Sequence, residues 1–262
     1  MGICMIFGAG ERVPKERIET TGCDSVKMTP CQTDLQTECI SDGIRCDDKD
    51  LVIAADGGMD WIREELTFLK PDIFIGDMDS LSENVGAEVT GDDPKRNEQG
   101  MTVFKLPVEK DDTDMGAAVK IGLERGYKMF YLYGGTGGRW DHTIANLQLL
   151  KHIALSGGTG FLIGPGLTAT VVHADGCGSR TICLSGRGKT GRPFSLFGMG
   201  TAEGVTISGA KYKANGVTLA DDYALGVSNE TKGESARIRF SKGTLLIVGD
   251  FLPRDIFLDS IE

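Results

Sequence analysis

The sequence predicts an α/β protein: a mainly parallel, Rossmann-like sheet domain over residues 1–163, then an antiparallel β-sandwich domain over residues 164–262. Two observations predict it. Up to Ile163, short apolar runs alternate with helical patterns, which is the grammar of a parallel sheet covered on both faces. Beyond Gly164-Pro165-Gly166 the chain changes to short β-rich runs punctuated by glycine, with no convincing helix.

The elements follow in order. Ile3 to Phe7 is an apolar strand pattern that stops at Gly8-Ala9-Gly10. Residues 11–50 are rich in Thr, Asp, Glu and Cys and lose all periodicity, so they are expected to be an irregular insertion or surface loop. Leu51 to Ala55 is a buried-strand pattern closed by Asp56-Gly57-Gly58, and Met59 to Leu69 reads as a short helix. Asp72 to Ile75 and Met101 to Leu106 are strands, and Thr113 to Arg125 is a helix stopped by Gly126. Met129 to Tyr133 is the next strand, and Trp140, Ile144, Leu147, Leu150 and Ala154 mark one apolar face of the helix that follows. In the β-rich part, Ala236 to Phe240, the turn Ser241-Lys242-Gly243 and Thr244 to Val248 read as a hairpin.

Composition excludes several classes of function. With 28 basic against 38 acidic residues the formal net charge is −10, which offers no general attraction to nucleic acid or anionic lipid. An anionic ligand needs local help from a metal, an arginine or backbone amides. The first residues lack the pattern of a signal peptide, and no run reaches the length of a membrane span, so a cytoplasmic enzyme is the expectation. Cys4, Cys23, Cys31, Cys39, Cys46, Cys177 and Cys183 form no close C-x-x-C pair, and reduced thiols are expected. Gly188-Lys189-Thr190 fails as a phosphate-binding P-loop because Cys183 stands where a glycine is needed. Gly8-Ala9-Gly10 lacks the later glycine of a dinucleotide fingerprint and reads as a tight strand-end turn.

Three segments carry the chemistry, and each begins where an apolar run ends. In Gly76-Asp77-Met78-Asp79-Ser80, Asp77 and Asp79 can turn towards a single cation if the chain leaves its strand as a loop. In Lys110-Asp111-Asp112-Thr113-Asp114, Asp112 or Thr113 can cap the next helix and Asp114 sits in its first turn, where the helix dipole keeps a carboxylate ionised. Gly134 to Gly138 follows a strand and opens a helix, so its N–H groups can cradle phosphate while Arg139 grips phosphate oxygens. His142 and Asn146 lie one turn apart on that helix.

The order of these motifs, Ala55-Asp56-Gly57-Gly58, then Gly76 to Ser80, Lys110 to Asp114 and Gly134 to Asn146, resembles the thiamine pyrophosphokinase (thiamin diphosphokinase) family. The resemblance covers most of residues 51–156 and continues more weakly through Gly209-Ala210-Lys211-Tyr212 and Ser228-Asn229. It implies a catalytic α/β domain, a thiamine-binding and dimerisation domain after it, and a homodimer with active sites between subunits. It also implies transfer of pyrophosphate from ATP to thiamine, giving thiamine diphosphate and AMP, with Mg2+. By position, Asp77, Asp79 and Asp114 would hold metal, and together with Arg139 would be the catalytic set. Asp56, Gly57, Thr113, Gly137, Asp141, His142 and Asn146 would line the substrate pocket, with Tyr212 stacking on thiamine, Ser228 contacting it from the partner subunit, and Asn229 also substrate-binding. Met78 stands where the family commonly has an aromatic residue, and Tyr212 where some members have tryptophan. Two alternatives stand beside this reading: a nucleotide-sugar transferase using Asp77-Met78-Asp79 as its metal grip, and a non-catalytic regulator binding nucleotide or thiamine.

Overall fold

The computed structural model describes residues 2–19, 50–76, 95–96, 100–105 and 112–259. Residues 20–49 of the expected insertion, with Cys23, Cys31, Cys39 and Cys46, lie outside the described residues. So do Asp77, Met78, Asp79, Ser80, Lys110 and Asp111.

Strands β1 (Ile3–Phe7), β2 (Leu51–Ala55) and β3 (Ile73–Gly76) are apolar runs buried along their whole length. A short β4 (Lys95–Arg96) precedes β5 (Thr102–Lys105), and β6 (Met129–Tyr133) and β7 (Thr159–Ile163) complete the first half. Apart from the antiparallel β4, these strands pair in parallel in the order β5, β3, β2, β1, β6, β7. The helices α1 (Gly58–Glu65), α2 (Asp114–Glu124) and α3 (Trp140–Leu155) connect them.

Alternation along each strand explains the two-sided cover. Met5 and Phe7 of β1 join one core with Met59, Trp61 and Ile62 of α1. Cys4 and Ile6 join the other with Met115, Ala118 and Val119 of α2 and Leu150 and Ile153 of α3. Close approach of α2 requires glycine: a side chain at Gly122 would meet the Phe130 ring and the Cys4 sulfur. Thr113 starts that helix by accepting a hydrogen bond from Gly116 N at 3.0 Å, a cap that contributes about 1 kcal/mol.

The chain then becomes antiparallel. The remaining strands are β8 (Thr168–Ser185), β9 (Pro193–Ser208), β10 (Ala214–Ala220), β11 (Gly226–Glu230), β12 (Ser235–Gly249) and β13 (Ile256–Asp259). Residues 168–170 of β8 pair with β7, and its far end pairs with β13, so the long strand carries hydrogen bonding from the parallel half into the antiparallel half. The result is a mixed α/β fold with one large sheet and few helices. No helix among the described residues is long and apolar enough to cross a membrane.

Two local expectations are corrected. The segment 235–249 is one strand and not a hairpin, because β8 and β9 flank it on its two sides and pair with it along most of its length. Ser241-Lys242-Gly243 is the site of register shifts, and Gly243 adopts φ +97°, a bulge that bends the strand without reversing it. On α3, Trp140 and Ile144 are exposed, and the buried residues are Asn146, Leu150 and Ile153. Leu147, Leu150 and Ala154 of the expected apolar face do pack on the core, so the expectation fails only in the first turns of the helix, at Trp140 and Ile144.

Candidate active site

The parallel order places a topological switch at β1: the chain steps from β1 through β2 and β3 to β5, then returns to β6 on β1's other side. Open α/β sheets bind ligands in the crevice at the carboxyl ends of strands beside such a point. A cleft of about 1110 Å³ lies there. It is lined by the turns after β1 and β6, the end of β2, and the first turns of α2 and α3.

The floor of the cleft is a zipper between two glycine turns. Gly8 N donates to Tyr133 O at 2.9 Å, Gly10 N to Gly134 O at 2.8 Å and Glu11 N to Thr136 O at 2.7 Å. A side chain on Gly10 would overlap both Gly134 O and Thr136 O, so only glycine permits this approach. Carbonyls of the β6 turn are consumed by this packing, while the N–H groups of Gly135 to Gly138 have no protein acceptor among the described residues. The hydroxyl of Thr136 is also buried without a hydrogen-bond partner among them. A turn of this kind, opening the 16-residue α3, is suited to an anion.

Around it stand the charged groups. Asp56 ends β2 in the left-handed region at φ +51°, a conformation that costs about 1–2 kcal/mol in a non-glycine residue and marks functional turns. Its N–H donates to Ile75 O at 2.8 Å and its carbonyl accepts from Met59 N at 3.1 Å, which fixes the turn. Asp112, Thr113 and Asp114 line the opposite wall at the start of α2, with Asp112 accepting from Thr113 N at 2.8 Å. Gly76, after which the chain continues to Asp77, lies against Asp56: a side chain there would come within 3.3 Å of the Asp56 Cα. Among the described residues no three metal-binding side chains gather into one group. Asp77 and Asp79, the expected principal ligands, lie outside them.

Arg139 precedes α3 and forks onto Asp141, with Nη2 to Oδ2 at 2.6 Å and Nε to Oδ1 at 3.3 Å. The guanidinium holds the Asp141 carboxyl below its ordinary range, and both side chains are exposed; Arg139 lines the cleft, while Asp141 is not among its lining residues. His142 is exposed and lines the cleft. Asn146 is buried, and its Nδ2 donates to Gly135 O at 2.8 Å, so it supports the glycine turn from below.

Of the expected site residues, Asp56, Thr113, Asp114, Gly137, Arg139, His142 and Asn146 are brought together at this cleft. Gly57 sits at the start of α1, where a side chain would touch Ala9. Tyr212, Ser228 and Asn229 are not among the lining residues and form a second cluster in the antiparallel half. There, Asn229 clasps the Tyr212 backbone, accepting from its N–H at 3.0 Å and donating to its carbonyl at 2.8 Å. This leaves the Tyr212 ring exposed, and Ser228 holds φ +61°. Sequence reasoning missed Glu11, Asp112, Trp140 and Thr143 as lining residues. The position of Gly8-Ala9-Gly10 at a strand end was the available signal for the first of them.

Comparison with known protein families gives two matches: the catalytic domain of thiamin pyrophosphokinase over residues 45–158, and the vitamin B1 binding domain of the same enzyme over residues 180–245. The chain belongs to the thiamin pyrophosphokinase family. As a member of that family it is a diphosphotransferase. A match to both parts of one enzyme leaves the sugar-transferase alternative without support. The fold agrees with solved thiamin pyrophosphokinases: one from Geobacillus thermodenitrificans at TM-score 0.67 and 22% identity, covering 97% of this chain and 99% of that one. That from Bacillus subtilis has TM-score 0.65 at 22% identity, covering 95% and 98%. The yeast enzyme has TM-score 0.62 at 14% identity, covering 95% and 86%. Search of curated proteins by sequence gives no match.

Proposed function

We propose that the cleft at the β1–β6 switch binds ATP and that the chain transfers its pyrophosphoryl group to the hydroxyethyl oxygen of thiamine. A bond forms between that oxygen and the β-phosphorus, the bond from the β-phosphorus to the oxygen it shares with the α-phosphorus breaks, and AMP leaves with that oxygen while the γ-phosphoryl group stays on the β-phosphorus. The observation that carries the reading is the set of N–H groups from Gly135 to Gly138 with no acceptor among the described residues, over a cleft walled by Asp56 and Asp114.

The residues have distinct tasks. The glycine-turn amides hold phosphate oxygens, and Arg139, presented at the mouth, neutralises charge that builds on them. Mg2+, held by Asp77, Asp79 and Asp114, would screen the triphosphate from the acidic walls and from a chain of net charge −10. One of these carboxylates accepts the alcohol proton. The first 163 residues form the catalytic part, and residues 164–262 form a β-sandwich that binds thiamine and dimerises.

The homodimer is supported by two groups of exposed apolar side chains, Trp140 and Ile144 on α3, and Tyr212, Tyr223, Leu225 and Val227 in the antiparallel half. Tyr212, Ser228 and Asn229 would then reach the cleft of the partner subunit and take the thiamine ring there. A cytoplasmic location accompanies this reading and agrees with the free thiols Cys4 and Cys177.

The test is titration of the labelled protein with magnesium and a non-hydrolysable ATP analogue, read from amide resonances. Those of Gly135 to Gly138 should move first and furthest. Unmoved resonances there, with saturable binding elsewhere, would overturn the assignment of the cradle.

A further inference from the structure

The segment that leaves β1 is tied to the end of β6 at both of its own ends. Beside the cleft, Gly8, Gly10 and Glu11 donate to the carbonyls of Tyr133, Gly134 and Thr136. At the far end, Glu19 N donates to the Tyr133 hydroxyl at 3.0 Å. Between these anchors Val13 and Ile18 are buried in the core. Residues 8–19 thus form a strap across the strand end, and the Tyr133 ring beneath it stacks on Phe7 at 4.9 Å, coupling β6 to β1.

The outer anchor is a buried acid. Glu19 is 5% exposed, its carboxylate meeting Arg254 through Nη1 at 3.1 Å and through the backbone N–H at 3.3 Å. Among the described residues Oε1 has no well-directed hydrogen bond. The charged and titratable groups facing it are Arg17 on the strap, Tyr131 and Tyr133 on β6, Arg187 on the β8–β9 turn, and Arg254 and Asp255 near the chain end. Asp255 is itself taken up by Arg187 and by Arg192, the latter at 3.2 Å. Arg17 is turned towards Thr168 Oγ1 at 3.0 Å and Asp250 at 3.9 Å. Arg254 is thus the direct partner of Glu19, and it is 38% exposed.

We propose that Glu19 is a positioning residue for the cleft: it fixes, through Tyr133, the strand end that carries the glycine turn, and its protonation sets how firmly the strap is seated. Burial against a single, partly exposed arginine does not replace the lost hydration of a carboxylate. The Glu19 carboxyl is accordingly pushed up to about 7, with desolvation the leading cause and Arg254 opposing it. A seated strap therefore holds the proton more tightly than a released one. Seating is firmest below the ordinary carboxyl value of 4.5 and weakens as pH rises through about 7, with no further loss above. Between about pH 6 and about pH 8 the seating constant falls roughly tenfold.

Amide hydrogen exchange, corrected for intrinsic rate, tests this in the full chain. In the natural protein, protection of residues 8–19 and of residues 134–139 should fall together, roughly tenfold, from about pH 6 to about pH 8. Glu19→Gln keeps a neutral partner for Arg254 and should make both segments insensitive to pH. Tyr133→Phe keeps the ring stack, removes the hydroxyl, and should loosen both segments at both pH values. Natural pH dependence in Glu19→Gln, or a strap that responds while residues 134–139 do not, overturns the proposal. A kinetic arm rests on the glycine turn being the phosphate cradle: KM for ATP should rise with pH in the natural protein and stay level in Glu19→Gln, with kcat little changed. Exchange behaving as expected while KM does not would support the strap and count against the cradle.

Discussion

Asn146 and Gly135 are joined across the floor of the cleft, the amide Nδ2 of one donating to the carbonyl of the other at 2.8 Å. Because Asn146 is buried and on a helix, the bond ties a glycine-rich turn to a rigid element. A turn with so little side chain of its own depends on such a tether to hold its N–H groups in register.

Asn146→Ala removes the donor and leaves Gly135 O buried without it. We expect a stability loss of about 1–3 kcal/mol and a rise in KM for ATP larger than the fall in kcat. Denaturant unfolding and steady-state kinetics check the two parts separately.

Gly10 and Gly138 make a contrasting pair. A side chain on Gly10 overlaps carbonyl oxygens of the opposing turn, whereas one on Gly138 meets nothing within 4 Å. Gly10→Ala should cost about 2 kcal/mol or more and abolish ATP binding. Gly138→Ala should stay within about 0.5 kcal/mol of the parent by thermal unfolding.

Strands β1, β2 and β6 were legible to the residue because each is a five-residue apolar run buried on both faces and closed by a polar or glycine turn. The glycine turn was legible from its place after β6, and the start of α2 from its capping residue Thr113. The face of α3 was legible only in part: Leu147, Leu150 and Ala154 pack on the core as expected, whereas the first turns leave Trp140 and Ile144 exposed and the helix buries the polar Asn146 to hold the turn, where function overrides the apolar pattern. Gly243 misled in another way. Glycine after Ser-Lys marks a turn or a bulge equally well, and only the presence of strands on both sides of β12 decides between them. The placement of Tyr212 and Asn229 away from the cleft depends on assembly, about which local sequence is silent.

Arg139 rests on Asp141 in a planar fork at the cleft mouth. Arg139→Lys preserves the charge and loses the fork, so turnover should drop by about tenfold or more with little change in stability. Kinetics alongside thermal unfolding separates those effects.

If Asp79 and Asp114 hold magnesium as proposed, an amide is a poor substitute for either carboxylate. Asp79→Asn and Asp114→Asn should each fold normally and lose roughly a hundredfold or more in turnover, with the magnesium requirement shifted to higher concentration. Magnesium titrations of activity read this directly.

Transfer of a whole pyrophosphoryl group is read most directly by incubating the protein with ATP, magnesium and thiamine and weighing the products by mass spectrometry. Thiamine diphosphate and AMP should form in equal amounts. ADP with thiamine monophosphate, or ATP and thiamine recovered unchanged despite binding, would contradict it.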